Sequence, residues 1–327
     1  MINIFISAFH TYTVTPFLRI WEHEAARFIR LVPYEKIHRL RKIHAGLFIF
    51  SDIDRLTATQ REMALRLCDD IARQFGEKAI YNHPAQVLTR YQLLTLLWEK
   101  GINEYRVFRI NYRYDKVRYP VFIRRTDDHS GSLTPLIGDE ESFGKELHRL
   151  QEEGADLSEL MVAEFCDTRA GDDLFYKYAA FRIGEAIVPA HIIHSRDWVT
   201  KDMPPEELRD EEKYYLVNNP HREELMNIFR MANIGYGRID YGLKDGKIQV
   251  WEINTNPVLI QGRDKYAHGK LPLKQKLADD LSSAFISGHM TIQQDQGDKK
   301  SINVNLSAPG FRNLLREIRR FCAPIDL

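Results

Sequence analysis

The 327-residue chain has little of several features that mark particular classes of protein. Its three cysteines, Cys68, Cys166 and Cys322, are scattered and odd in number, which argues against a disulfide framework and for reduced thiols in a cytosol. No spacing of cysteine and histidine is typical of a zinc site. No uninterrupted apolar run reaches the roughly 18 residues of a membrane-spanning helix. The first residues lack the basic segment of a signal peptide, so we expect a cytoplasmic protein.

An excess of charge of either sign is also missing. The sequence contains 46 basic and 46 acidic residues, so nothing in this balance suggests a nucleic acid or an anionic membrane as a partner. Hydrophobic residues make up 44% of the chain, an ordinary fraction for a globular protein. Because the length exceeds one typical core, we expect two or three packed units.

The stretch from Gly235 to Pro257 predicts a β-hairpin. Two β-prone runs, 238–243 and 247–253, flank Lys244-Asp245-Gly246. Asp-Gly between two apolar runs is a strong signal for a turn between antiparallel strands.

This hairpin carries a candidate metal site. Asp240 lies on its first strand and Glu252 on its second, with Asn254 two residues later; oxygen donors of this kind suit Mg²⁺. A two-residue turn would place Asp240 opposite Trp251 and direct Glu252 to the other face of the sheet. We therefore expect an odd loop, with Gly246 in a bulge at the turn, that puts the three donors on one face.

Arg238-x-Asp240, a hairpin and the run Glu252-Ile253-Asn254-Thr255-Asn256-Pro257 resemble the C-terminal metal-binding signature of the ATP-grasp superfamily, carboxylate–amine ligase type. The resemblance implies an α/β fold with α+β subdomains. A small N-terminal α/β layer would precede two α+β subdomains that clamp ATP between them. Strands that alternate with helices in the first 82 residues agree with such a layer and predict some parallel pairing.

The resemblance also implies roles for individual residues of the hairpin. Asp240, Glu252 and Asn254 would hold the magnesium ions that bridge the ATP phosphates. Arg238 and Arg182 would lie near the transferred phosphoryl group and the carboxylate that attacks it. A guanidinium can bind a carboxylate or a phosphate through two parallel hydrogen bonds.

Three further basic residues would contact the phosphates. The segment that begins Asn82-His83-Pro84 is similar to a family segment whose lysine contacts phosphate, and this chain has Arg90 at that place. Pro120-Val121-Phe122-Ile123-Arg124 resembles a family strand that ends in lysine, and again arginine replaces it. Lys177 would face the γ-phosphate. Arginine keeps the charge but replaces a point donor with a planar fork.

The remaining nucleotide contacts implied by the resemblance come from a loop and a hinge strand. Ser130, Gly131 and Ser132 occupy the place of the glycine-rich loop that folds over ATP, although this loop has one glycine where the family has several. Glu164 and Phe165 would lie at the adenine edge. Since a buried carboxylate needs a partner, a buried salt bridge is the alternative for Glu164.

The activity implied is an ATP- and Mg²⁺-dependent ligase that forms an acyl phosphate and transfers it to an amine, releasing ADP. Two alternatives stay open: a kinase with the same nucleotide grip, and a nucleotide-binding module with little turnover. The expected partners are a small-molecule or peptide substrate, with no nucleic acid and no membrane. The tail could dock on the body or on a second subunit, which would make a homodimer.

The expected domains are an N-terminal α/β domain at 1–82, a lid and nucleotide subdomain at 83–172, a C-terminal subdomain with the metal hairpin at 173–295, and a tail at 296–327. Further expectations are a helix from Thr15 to Arg30, a capping box of Thr59 and Glu62, a helix cap at Asn82, a hairpin of 105–112 with 117–125, a helix at 273–285, and an amphipathic tail helix at 309–321.

Overall fold

A computed structural model describes residues 1–110, 117–127, 131–199, 210–266, 268–296 and 301–304. The chain divides into two compact units. Unit 1 contains Met1–Val87, Ile183–Ala186 and the described residues after Asn254, and unit 2 contains Leu88–Arg182 and Ile187–Asn254. The four domains expected from the sequence, with boundaries after 82, 172 and 295, stay predictions. No helix in the described part of the chain has both the length and the apolar content needed to cross a bilayer.

The strands are β1 (Ile2–Ile6), β2 (Ile29–Pro33), β3 (Lys42–His44), β4 (Leu47–Phe50), β5 (Ile80–Tyr81), β6 (Val107–Arg109), β7 (Val121–Arg125), β8 (Leu160–Glu164), β9 (Phe175–Ile183), β10 (Ala186–Ser195), β11 (Tyr236–Lys244), β12 (Lys247–Asn254) and β13 (Ser301–Asn303). The α-helices are α1 (Thr15–Ile20), α2 (Ala58–Phe75), α3 (Arg90–Glu99), α4 (Glu140–Glu152), α5 (Asp210–Asn218), α6 (Arg222–Met231) and α7 (Leu271–Gln296). Short 3₁₀ helices cover Ala8–Thr13, Glu24–Arg27, Tyr34–Arg39, Ile53–Arg55, Glu77–Ala79, Leu157–Glu159, Arg263–Lys265 and His268–Lys270.

Unit 1 is built on a sheet with the strand order β2-β1-β4-β5, in which every pairing is parallel. Every residue of β1 and of β4 is buried, as expected of parallel strands that are covered on both faces. Helix α2 buries Met63, Leu67, Cys68 and Ile71 at helical spacing. The small N-terminal α/β layer expected from the sequence is confirmed.

Several boundaries in unit 1 differ from the expectation. The helix expected to reach Arg30 ends at Ile20, because the residues from Ile29 pair with β1 as the edge strand β2. The capping box at the start of α2 is Thr57 with Gln60. Helix α7 runs to Gln296, well past the expected end.

The part of unit 1 near the chain end holds a strand that the sequence reading missed. Ser301–Asn303 forms β13 and pairs antiparallel with β3. The expected tail helix at 309–321 lies outside the described residues.

Unit 2 contains a three-stranded sheet with the order β6-β8-β7. The expectation that 105–112 and 117–125 form a hairpin is wrong: β6 and β7 each pair antiparallel with β8, one on either side. All five residues of β8 are buried, so the most apolar strand takes the centre. Helix α4 packs Phe143 and Leu150 into the same core. Helix α3 begins after a capping box of Thr89 and Gln92, later than the expected cap at Asn82.

The second sheet of unit 2 has the order β10-β9-β11-β12, and β11 and β12 are the expected hairpin. Its turn has two residues, Asp245 and Gly246, with φ of 51° and 76°, as in a type I′ turn. Trp251 is an extra residue in β12, so the register moves from Tyr241 opposite Val250 to Asp240 opposite Glu252. The shared face of the two acids is confirmed, but a bulge within the strand produces it rather than an odd loop.

Candidate functional site

Unit 2 contains a cavity of about 310 Å³, lined by residues from both of its sheets. This volume lies at the lower end of the range for small-molecule sites. The charged residues that line it are Arg124, Glu164, Lys177, Arg238, Asp240 and Glu252. The aromatic residues that line it are Tyr105, Phe122, Phe165, Phe175, Tyr176, Trp198 and Trp251. The cavity thus combines apolar walls with a small set of converging charges.

The hairpin supplies the acidic side of the cavity. Asp240 and Glu252 are direct cross-strand partners, and Arg238 is paired with Asn254 two residues further along the hairpin. Because residues two apart on a strand share a face, all four belong to one face of the hairpin. All four also line the cavity. The structure therefore brings together the three predicted metal ligands and one of the two predicted catalytic arginines.

Both hairpin acids, Asp240 and Glu252, are paired with basic side chains. Glu252 Oε2 accepts hydrogen bonds from an Nη of Arg90 at 2.6 Å and from an Nη of Arg124 at 3.0 Å. Arg238 donates to the two carboxylate oxygens of Asp240, through Nε at 2.8 Å and an Nη at 3.2 Å. The ammonium of Lys177 lies 3.8 Å from Asp240 Oδ2.

This arrangement leaves an excess of positive charge. Four cationic side chains, Arg90, Arg124, Lys177 and Arg238, surround two carboxylates. An excess of two charges in a partly enclosed site favours a multiply charged anion. Of the predicted phosphate-binding residues, Arg124 and Lys177 line the cavity, and Arg90 lies outside the lining but contacts Glu252.

The donor set has the chemistry that a magnesium ion needs. Asp240 and Glu252 offer carboxylates and Asn254 an amide oxygen from the same face of the hairpin. The described residues contain no group of three or more His, Cys, Asp or Glu side chains that could hold a metal ion. Mg²⁺ is usually bound by one or two carboxylates together with substrate phosphates, rather than by an all-protein cage. The residues therefore fit a Mg²⁺ ion whose remaining ligands are supplied by a bound polyphosphate.

Glu164 takes the alternative that the sequence left open, the buried salt bridge. Its carboxylate is 2% exposed and accepts hydrogen bonds from the guanidinium groups of Arg106 and Arg118 and from their backbone N–H groups. Burial by itself raises the pKa of Glu164, but the hydrogen bonds from both arginines outweigh it and hold that pKa below its ordinary value. Glu164 is therefore an ionised and paired carboxylate of the cavity wall, and its contact with the adenine stays a prediction.

The predicted loop and hinge residues are divided. Gly131 and Ser132 line the cavity, and Ser132 bridges to Arg124 on β7. Phe165 lines it as well, directly after β8. Ser130 lies outside the described residues.

Arg182 is a predicted residue that the structure directs away from the cavity. It lies an odd number of positions from Lys177 on β9, so strand alternation directs it to the opposite face. One of its Nη atoms donates to the carbonyl of Ile234 at 2.9 Å, and Arg182 does not line the cavity. Arg182 is therefore not brought to the hairpin acids, and the role that the resemblance implies for it stays a prediction.

Sequence reasoning missed an aromatic wall. The rings of Phe122 and Trp198 lie 4.9 Å apart between centroids, and Phe165 lies 6.0 Å from Trp198. Such surfaces suit a flat ring. The strand period could have found Phe122, which is two residues before Arg124. Trp198 carried a weaker signal, a lone tryptophan in a polar connection.

Comparison with solved structures identifies the fold. The D-alanine–D-alanine ligase from Bacillus anthracis has 14% sequence identity, and the match covers 91% of this chain and 100% of that one with a TM-score of 0.52. The chain has the ATP-grasp fold. A structure of the same ligase complexed with ATP matches at 12% identity over 90% of this chain and 99% of the other, with a TM-score of 0.50. No protein-family model and no curated protein matches. The ATP-grasp fold expected from the hairpin signature is thereby confirmed.

Proposed function

We propose that the chain is an ATP- and Mg²⁺-dependent ligase. It would activate a carboxylate as an acyl phosphate and transfer the acyl group to an amine, with release of ADP and phosphate. The observation that carries the proposal is the direct opposition of Asp240 and Glu252 in the cavity wall, with four cationic side chains paired to these two acids. The ATP-grasp fold, shared with a ligase that was solved with ATP, supports it.

The phosphates and the base of the nucleotide would contact different residues. Arg90, Arg124 and Lys177 would bind the phosphates, where guanidinium forks match phosphate oxygens. Phe122 and Trp198 would stack on the base. When bound, Mg²⁺ held by the hairpin donors would neutralise charge on the β- and γ-phosphates.

The proposed reaction has two steps. A carboxylate oxygen of the substrate attacks the γ-phosphorus, the bond to the β–γ bridging oxygen breaks, and ADP leaves with that electron pair. The amine then attacks the acyl carbon and loses a proton, and phosphate leaves as the amide forms. Asp240 orients Arg238 through two hydrogen bonds, so a preorganised guanidinium can stabilise the charge of the phosphoryl group.

The nucleotide-binding module remains the second candidate because both hairpin acids are already ion-paired with basic side chains. A ligase turns over ATP, whereas a nucleotide-binding module does so very little. A ligase forms an amide through an acyl phosphate, whereas a kinase releases a phosphorylated substrate. Hydroxylamine intercepts an acyl phosphate as a hydroxamate, whereas a phosphorylated hydroxyl does not react in this way.

The test is ADP release from ATP and Mg²⁺ with pooled amino acids, small carboxylates and amines, followed by mass analysis of the product. We expect ADP formation that depends on a carboxylate, a hydroxamate when hydroxylamine replaces the amine, and loss of both in Asp240→Asn combined with Glu252→Gln. Glu159→Gln is the matched control, since Glu159 is an exposed acid of the same unit that pairs with Arg125. Turnover that survives the double substitution would refute the proposal.

A further inference from the structure

Two arginines meet at one oxygen of Glu252. The side chains of Arg90, Arg124 and Glu252 are 5%, 11% and 15% exposed, so this cluster is largely shielded from water. Arg90 is further tied to the backbone carbonyls of Arg125 and Thr126. Shielded charge pairs are screened little by salt and exchange partners only for a comparably strong ligand.

A lone divalent cation is a poor competitor for this site. To reach Glu252 it would have to displace two guanidinium groups and then remain beside them. The neighbouring acid Asp240 does not attract the ion either, because it is already paired with Arg238 and Lys177. Positive side chains within about 4–6 Å of a site disfavour the binding of a further positive ion there.

A polyphosphate changes this balance. Its oxygens are better partners for guanidinium forks than a single shared carboxylate oxygen, and it brings negative charge with it. Arginines that turn to the phosphates would leave Glu252 to a cation that the same phosphates attract. An ammonium at either position would offer a point charge rather than a planar fork to Glu252.

We propose that Arg90 and Arg124 lock Glu252 and keep divalent cations out of the hairpin site until a nucleoside di- or triphosphate binds. This inference rests on the proposed function and adds the order in which the ligands bind. It makes nucleotide the first ligand and the metal ion the second.

The experiment measures Mn²⁺ binding by the loss of the free-ion electron paramagnetic resonance signal, on the full chain. Arg124→Met removes one arm of the lock, and Arg125→Met is the matched control. Arg125 is the next residue on β7, and its partner is the exposed Glu159. We expect wild type and Arg125→Met to bind Mn²⁺ weakly without nucleotide, and Arg124→Met to bind it about tenfold more tightly, since it lacks a neighbouring positive charge. Equal Mn²⁺ affinity of wild type and Arg124→Met would overturn the lock.

A second arm adds ADP, with protein-free ADP titrated to subtract its own Mn²⁺. We expect ADP to tighten Mn²⁺ binding by wild type at least about tenfold, and less by Arg124→Met. Bound ADP, seen by calorimetry, with unchanged Mn²⁺ affinity would overturn the lock. Failure of ADP to bind at all would contradict the proposed function, while the nucleotide-free comparison would still decide whether the lock exists. Arg124→Lys, which keeps the charge, serves if Arg124→Met does not fold, and its Mn²⁺ affinity should lie between those of wild type and Arg124→Met.

Discussion

Glu164 and Glu252 are both cavity-wall acids of unit 2, and each pairs with two arginines. They differ in how they are held. Glu164 accepts the backbone N–H groups of Arg106 and Arg118 in addition to their side chains, and it is 2% exposed. Glu252 receives Arg90 and Arg124 at a single oxygen and is 15% exposed.

This difference suggests that Glu164 stabilises the fold and that Glu252 is available for binding. Backbone donors are fixed in place, so the carboxylate of Glu164 connects the central strand β8 to the segments that precede β6 and β7, and it remains charged. Side-chain donors can exchange one anion for another, so Glu252 can become a ligand when phosphates arrive. An arginine–glutamate pair therefore indicates a role only once the other contacts of the carboxylate are known.

The largest expected effect is on turnover. Glu252→Gln should lower ADP formation by about 100- to 1000-fold, because it removes a carboxylate that would hold Mg²⁺. Steady-state kinetics with saturating ATP and Mg²⁺ measures it, with Glu159→Gln as the control. A variant with full activity would place Glu252 beside Glu164 as a structural acid.

Next in size is the stability of the Glu164 cluster. Glu164→Gln should lower the free energy of unfolding by about 3 kcal/mol, since it leaves two guanidinium groups without their buried anion. Urea unfolding followed by circular dichroism measures the loss. Glu159→Gln breaks an exposed pair and should change stability by less than about 1 kcal/mol. Equal losses in the two variants would contradict the structural role of Glu164.

The same variant should show a pH dependence. The folded-state pKa of Glu164 lies below its ordinary value of 4.5, so its contribution is complete above that pH and is lost as pH falls through the folded-state pKa. The stability difference between wild type and Glu164→Gln should therefore be constant near neutral pH and narrow in acid. Urea titrations from pH 7 to pH 3 check this, and a difference that widens in acid would refute it.

The smallest effect should come from a conservative change of Arg124, a partner of the other acid, Glu252. Arg124→Lys keeps the charge beside Glu252 but loses the planar fork, so ADP affinity should fall about fivefold, or about 1 kcal/mol. Calorimetry measures it against Arg125→Lys. An unchanged affinity would mean that Arg124 does not contact phosphate.

The hairpin signature carried most of what could be foreseen. Asp240, Glu252 and Asn254 were predicted on one face, and the ATP-grasp fold followed from them. The position of the bulge was not predictable. In the structure the extra residue is Trp251 rather than a residue of the turn at Gly246, and this choice depends on how β12 packs against its neighbours. Both arrangements satisfy the same local turn chemistry.

Local pattern also predicted elements whose partners it could not assign. The strands β6 and β7 were foreseen, but their pairing with β8 is a long-range choice made by burial of the most apolar strand. The resemblance placed Arg182 near the transferred phosphoryl group, whereas in the structure its guanidinium donates to the carbonyl of Ile234 and does not line the cavity.

The sequence by itself determined the chemistry available: the hairpin acids, the basic residues and the runs that become strands, because turn signals and side-chain periodicity are local properties of the chain. The tertiary structure decided which cation meets which acid. That Arg90 and Arg124 converge on Glu252, while Arg106 and Arg118 enclose Glu164, depends on contacts between residues 46 to 162 positions apart. Only packing brings such pairs together.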